Sequence, residues 1–196
     1  MSFSGAVLAG GTSSRMGTDK AFVEVNGVPL AAIAYQSLAE AGASEIHSIG
    51  GDSERLSALG FLPHPDTHPG EGPLGGIIDA MHASNRPIVV ILACDQPRVD
   101  GTLVRRLVEA LDEHDDAVVP VAEGVPQPLA AVYSTRALAA LESAFDAGQR
   151  SPTRALERLD WRALEDVDQV LLDDVDDPDD LARYARNTEH RDSDLR

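Results

Sequence analysis

One cysteine, Cys94, occurs in the 196 residues, which excludes an intramolecular disulfide framework and any multi-cysteine metal site and fits an intracellular protein. Aromatic residues are scarce at 4%, so the 43% of hydrophobic residues is carried mainly by Ala, Val and Leu. Such a core is low in bulk but adequate for helices packed on a sheet. Positive charge is scarce as well: 33 acidic residues face 16 basic ones, for a net charge of −17 and a pI of about 4.5. That balance excludes a broad basic face for nucleic acid and docking on an anionic membrane surface, while a local anion site stays allowed. Long apolar runs are missing too. The amino-terminal MSFSGAVLAGG has no positive leading region and only a few consecutive apolar residues, so neither a signal peptide nor a membrane span is expected, and the expected location is the cytoplasm.

Lysine is all but absent. Lys20 is the only one, and the other fifteen basic residues are arginine. Strong acidity with lysine abandoned suggests a halophilic surface adapted to very high salt, where the Debye length falls to about 3 Å at 1 M and carboxylate repulsion is screened. Codon usage that favours Arg and Ala over Lys acts in the same direction.

The length bounds the chain to one domain of ordinary size or a domain plus a short appendage, able to bury roughly 70% of its unfolded surface. A single domain is expected over 1–187 and a disordered tail over 188–196, because the sequence past Asn187 has no periodicity. Ser4–Ala9 is small and apolar and ends in Gly10-Gly11, which reads as a buried strand feeding a glycine loop. Val23–Val25 before Asn26-Gly27 predicts a short extended piece and a reversal, and Leu30–Ala41 a helix stopped by Gly42. Glu45–Ile49 predicts a strand, Ser53–Leu59 a brief helix, and Pro63–Gly76, rich in Pro and Gly, a surface loop before a helix over Gly76–Ala83. Ile88–Ala93 is the most apolar, β-branched run and predicts a central parallel strand, with Cys94, Asp95, Gln96 and Pro97 at its end. Asp100-Gly101 opens a helix over Thr102–Leu111, and Ala117–Val121 and Leu129–Tyr133 predict paired strands. Helices over Thr135–Ala147 and Thr153–Leu159, a strand over Val167–Leu172 and a last helix over Asp180–Arg186 complete the reading. Strands alternating with helices predict an α/β fold with a mostly parallel sheet, whose ligands gather at the carboxyl ends of the strands.

The loop LAGGTSSRMGTDK, Leu8–Lys20, is neither a dinucleotide-binding fingerprint nor a Walker loop, yet it has the chemistry of an anion cradle. Gly10 and Gly11 let the backbone turn with N–H groups exposed, Thr12, Ser13 and Ser14 add hydroxyls, and Arg15 and Lys20 bring positive charge. Arg15 can clamp phosphate oxygens bidentately, and Lys20 acts as a compact point charge. A surface that uses arginine everywhere else keeps an ammonium only here.

The ordered run LAGG-x-S-x-R-MG-x-DK, followed by a short strand and G-x-P-L, resembles the opening of the molybdenum cofactor guanylyltransferase family, MobA-like nucleotidyltransferases with a Rossmann-like GT-A fold. GPLGG at Gly72–Gly76, ACDQP at Ala93–Pro97 and QPLAAVY at Gln127–Tyr133 are similar to further segments of that family, so the resemblance spans roughly residues 4–186. It implies an α/β, three-layer nucleotidyltransferase fold with a mostly parallel central sheet flanked by helices. It implies a Mg²⁺-dependent enzyme that transfers GMP from GTP to the terminal phosphate of molybdopterin or Mo-molybdopterin and releases pyrophosphate. Transient contact with a molybdoenzyme or a cofactor-delivery protein would follow. Carried over by residue, Leu8, Ala9, Gly10 and Gly11 would lie against the nucleotide, Arg15 and Lys20 would hold the triphosphate, and Gly75 would pack close to the nucleoside. Asp66 would help hold the ribose or base, and Asp95 would coordinate Mg²⁺.

The departure lies near the carboxyl end, where DVDDPDDL, Asp174–Leu181, places Asp174 and Asp176 where the guanylyltransferases carry two asparagines. That resembles the pattern of molybdenum cofactor cytidylyltransferases, which stay an alternative, as does guanylyl transfer to adenosylcobinamide phosphate or a nucleotide-binding delivery module without turnover. Asp176 is the candidate second oxygen ligand of the metal, since Mg²⁺ keeps several waters and needs few carboxylates. Cys94 reads as an inert small residue, and His64 and His68 as solvated loop residues.

Overall fold

A computed structural model of the chain describes residues 2–10, 19–177, 179–181, 183 and 184. Gly11, Arg15 and the hydroxyls of Thr12, Ser13 and Ser14 lie outside the described residues, as does the segment 188–196 expected as a tail.

The chain opens with strand β1 (Ser4–Leu8) and, after a short 3-10 turn at Lys20–Phe22, a small hairpin of β2 (Glu24–Val25) and β3 (Val28–Pro29). Asn26 and Gly27, both with positive φ, form the hairpin turn that an Asn-Gly pair favours. Helix α1 (Leu30–Glu40), strand β4 (Ile46–Ile49), helix α2 (Ser53–Ala58) and strand β5 (Leu62–His64) follow. Helix α3 (Pro73–Ala83) then leads to strand β6 (Ile88–Ala93) and helix α4 (Gly101–Ala110). The last third holds β7 (Ala117–Ala122), β8 (Val125–Pro126), β9 (Ala130–Ser134), α5 (Leu138–Asp146), α6 (Pro152–Ala155) and β10 (Trp161–Leu164).

The main sheet runs β10-β7-β9-β6-β1-β4-β5, with β8 beside β7. Its pairs are parallel except where β9 meets β6 and β7, and where β8 meets β7. The α/β architecture with a mostly parallel sheet is therefore present, and the Leu129–Tyr133 run does partner β7 as well as β6.

Strand periodicity divides the core into two layers. On β6, Ile88, Val90 and Leu92 face the cluster that includes Leu38 of α1 and Leu103 and Leu107 of α4. Val89 and Ile91 face the opposite cluster, with Ile77 of α3 and Leu141 and Phe145 of α5. Helices thus cover both faces, which is why β6 is buried along its whole length and reads as an unbroken apolar run. Local signals set the helix starts: the Asp52 carboxylate accepts from the N–H groups of Glu54 and Arg55, and that of Asp100 from Thr102 and Leu103.

Three elements differ from the sequence reading. Val167–Leu172 is not a strand: the Asp168 carboxylate accepts from Val170 N–H and turns Gln169–Leu172 into a 3-10 segment, with Leu172 buried in the core. The strand of that region is β10, parallel to β7 in the register Trp161 to Ala117. β5 forms inside the Pro-rich stretch because it is an edge strand, where Pro63 has no second neighbour to donate to. Helix α3 begins at Pro73 rather than Gly76, since proline suits the first helical position. Among the described residues no helix is long and apolar enough to cross a membrane.

Candidate active site

From β1 the chain passes to β4 and β5 on one side, then returns through β6 on the other side of β1. The crevice at the carboxyl ends of β1 and β6, where Leu8 pairs with Ala93, is therefore the switch point at which open α/β sheets receive ligands. A cleft of about 840 Å³ lies there. Leu8, Ala9 and Gly10 line it from β1, and Ala93, Cys94 and Asp95 from β6. Asp66, Pro69, Gly70 and the start of α3 (Gly72, Pro73, Gly76) line it from a third segment, with Lys20, Ile49, Leu129 and Asp176 completing it.

Lys20 is the one cation lining the cleft among the described residues. Asp19 places it by accepting from the Ala21 N–H at 3.2 Å, which starts the 3-10 turn. Its Nζ donates to Asp95 Oδ2 at 2.9 Å and to Asp176 Oδ1 at 2.7 Å. Burial alone would lower the pKa of the ammonium, but its hydrogen bonds and charge interactions with Asp176 and Asp95 outweigh that and hold it above its ordinary value. Burial raises the Asp174 carboxyl, and the negative charges of Asp176 and Asp95 add to the shift.

Asp176 reaches the cleft because the carboxyl-terminal segment is stitched to the loop after β6. Val175 N–H donates to the Asp95 carbonyl at 2.8 Å, Gln96 Nε2 to the Leu172 carbonyl at 3.2 Å, and the Tyr184 hydroxyl to the Pro97 carbonyl at 3.0 Å. The expected last helix is present at 179–181 and 183–184, and Asp177 accepts from the N–H groups of Asp179 and Asp180 at its start.

The opposite end of the cleft is built on close backbone contacts. The N–H groups of both Ala9 and Gly10 donate to the Ile49 carbonyl at 3.0 Å, so the N–H of Gly10 is not exposed as the sequence reading expected. Gly10 offers closeness instead: Gly50, at φ +73°, packs so tightly on it that a Cβ on Gly50 would lie 2.8 Å from the Gly10 Cα. Asp66 Oδ2 stands 3.4 Å from where a Cβ on Gly10 would be. Gly75 does not line the cleft; the bare side of its Cα faces His68, whose Cβ lies 2.7 Å from the position of a Gly75 Cβ, while Gly76 lines the cleft against Leu8.

The two histidines of this stretch are partly buried rather than freely solvated. His64 Nε2 lies 3.0 Å from Nδ1 of the buried His47, and the His68 ring packs on Phe145 at 4.5 Å between centroids. Cys94 lines the cleft as a buried thiol whose pKa burial pushes up to about 12, in keeping with an inert side chain. Among the described residues no group of three or more His, Cys, Asp or Glu is placed to hold a metal ion. Asp95 and Asp176 nevertheless converge on one point, which the Lys20 ammonium occupies.

Residues 5–164 match the family model of the MobA-like NTP transferase domain. The chain belongs to this family. The molybdenum cofactor guanylyltransferase of Pseudomonas entomophila is 35% identical over 152 residues, covering 76% of this chain and 80% of that one. Among solved structures, the chain is similar to molybdopterin-guanine dinucleotide biosynthesis protein A from Archaeoglobus fulgidus, with a TM-score of 0.78 and 26% identity over 95% of this chain and 99% of the other. A nucleotidyl transferase from Methanothermobacter thermautotroptrophicus shares the fold at a TM-score of 0.81 and 17% identity, over 97% of this chain and 99% of that one. As a MobA-like protein the chain is a nucleotidyltransferase, a class that works on a nucleotide and a phosphorylated acceptor. Ile49, Pro69, Gly70 and Leu129 line the cleft without a role assigned from the sequence, and Gly50 packs on Gly10 behind it; Gly50-Gly51 after β4 and the QPLAAVY segment were the available signals.

Proposed function

We propose that the protein is a molybdenum cofactor guanylyltransferase, moving GMP from GTP to the terminal phosphate of molybdopterin or Mo-molybdopterin. A terminal phosphate oxygen of the acceptor attacks the α-phosphorus of GTP in line. The new P–O bond forms as the bond from the α-phosphorus to the bridging oxygen breaks, and pyrophosphate leaves with that oxygen. The observation that carries this reading is the lone lysine held between Asp95 and Asp176 at the switch-point cleft.

In this reading Lys20, with Arg15, holds the triphosphate and keeps the α-phosphorus in line. Leu8, Ala9, Gly10, Gly11 and Asp66 receive the nucleoside, and Gly75 acts from behind by seating His68. Asp95 and Asp176 fit a hard cation: both offer carboxylate oxygens, and both reach a single cationic point, at 2.9 and 2.7 Å from the Lys20 Nζ. Asp95 and Asp176 would hold Mg²⁺, which would supply positive charge to neutralise the pyrophosphate leaving group. An acidic protein that takes a polyanion must focus positive field locally, so Lys20 and the cation carry more weight here than on a neutral background.

The names of the relatives support guanine and a molybdopterin acceptor. The Asp174-Val-Asp176 segment, which resembles the cytidylyltransferase pattern, keeps a cytidylyl donor as the second reading. The test is a matrix of GTP and CTP against molybdopterin and Mo-molybdopterin in multimolar KCl with Mg²⁺, with product mass read directly. A GMP adduct with pyrophosphate is expected; a CMP adduct selects the cytidylyl reading, and nucleotide binding without turnover indicates a delivery module.

A further inference from the structure

Helix α3 turns one carboxylate inward. Asp79 is 8% exposed, the only carboxylate buried to this degree among the described residues. The other buried side chains of this helix, including Leu74, Ile77, Ile78 and Met81, are apolar and need no such partner. A buried carboxylate is costly unless it is fully hydrogen-bonded, and Asp79 is bonded to one residue twice. Oδ2 accepts from the Thr67 N–H at 2.8 Å, and Oδ1 from the Thr67 hydroxyl at 2.6 Å. Because the single hydroxyl proton goes to Asp79, the Thr67 oxygen accepts its other bond from His68 Nδ1 at 3.0 Å, which places the imidazole proton on Nδ1. The His68 ring in turn packs on Phe145 and over the bare side of Gly75.

Thr67 follows Asp66, and the two are locked together. Asp66 Oδ1 accepts from the His68 N–H at 2.9 Å, leaving Oδ2 facing Gly10 across the cleft. No regular structure holds residues 65–68, so the fixed points are the bonds to Asp79 and the seat of His68.

We propose that Asp79 is a positioning residue for the nucleotide: it pins Thr67 to α3 and thereby holds the Asp66 carboxylate beside Gly10 at the nucleoside end of the cleft. This rests on the reading in which Asp66 contacts the nucleoside. Asp79 touches no substrate, and its loss loosens nucleotide binding while leaving the phosphate end of the cleft, and so turnover at saturation, largely in place.

The experiment measures the Kd of GTP and of CTP with Mg²⁺, kcat at saturating nucleotide, and amide hydrogen exchange over residues 65–68 for Asp79→Ala, Asp79→Asn, Thr67→Val and Asp66→Ala. Asp79→Ala should raise the nucleotide Kd about 10-fold and speed exchange at Thr67 and His68, with kcat changed by less than about threefold. Asp79→Asn keeps the side-chain volume and one accepting oxygen and should recover most of the affinity, whereas loss of the Thr67 hydroxyl at nearly constant volume should not. Thr67→Val deletes only the hydroxyl and gives the same test in a near-isosteric variant should Asp79→Ala fail to fold. If Asp66→Ala weakens nucleotide binding while the Asp79 and Thr67 variants bind as the parent does, the positioning role is overturned and the reading of Asp66 stands. If Asp66→Ala itself leaves the Kd of both nucleotides unchanged, that reading falls and takes the inference with it.

Discussion

At the scale of single residues, the cleft sets one ammonium against two carboxylates, and the three depend on one another. Removing either carboxylate leaves Lys20 with one anionic partner. Asp95 is the more consequential of the two, being fixed at the end of a fully buried strand while Asp176 is half exposed. Asp95→Asn is expected to abolish most Mg²⁺-dependent pyrophosphate release while thermal unfolding stays cooperative; undiminished turnover in a folded variant would remove Asp95 from the metal. A second residue prediction concerns His47, whose pKa burial lowers, with His64 adding and Glu45 opposing. The unfolded chain therefore binds a proton at His47 that the folded one resists. The associated stability is fully present above about pH 6.5 and is lost as pH falls from there toward the lower folded pKa. In His47→Gln, the drop in Tm between about pH 7.5 and about pH 5.5 should be smaller than in the parent; an equal drop would contradict the assignment. Lys20 and Asp95 were legible in the sequence, one by its isolation and the other by its place after an apolar strand. The bonds of Asp79 to Thr67 were not, because a helix residue meeting a loop residue twelve positions earlier leaves no local pattern.

Among the elements, legibility followed burial and capping. β1 and β6 were visible as apolar runs, and α4 as a period opened by the Asp100 cap. That cap is expected to contribute about 1 kcal/mol, so Asp100→Ala should lower the urea midpoint accordingly without changing the denaturant slope, and an unmoved midpoint would contradict its role. The misread elements lie at the margins of the sheet. β10 is short, with Arg162 exposed between Trp161 and Ala163, and an edge strand lacks the continuous apolar signature of a central one. Val167–Leu172 carries enough apolar residues for a strand, but Asp166 takes a positive φ and Asp168 caps a turn, so Val167 and Leu172 are buried from a non-strand segment. Asp176 depends on that segment being a loop, because the path of residues 172–176 along the end of β6 brings its carboxylate to Lys20.

The whole molecule sets its charge against its chemistry. A net charge of −17 opposes the approach of a triphosphate and also strains the folded state by self-repulsion. Salt relieves both, since the screening length falls from about 10 Å at 0.1 M to about 3 Å at 1 M. Unfolding by urea is expected to shift to higher midpoints on moving from dilute to multimolar KCl, and equal stability in the two would contradict a salt-adapted surface. On such a background the single lysine in the cleft is the feature on which the functional account turns. The measurement that tests it most directly is kcat/KM for pyrophosphate release from GTP with molybdopterin as acceptor, comparing the parent chain with Lys20→Ala in multimolar KCl. A loss of about 100-fold or more with the fold intact is expected; a change of less than about threefold would contradict the role of Lys20.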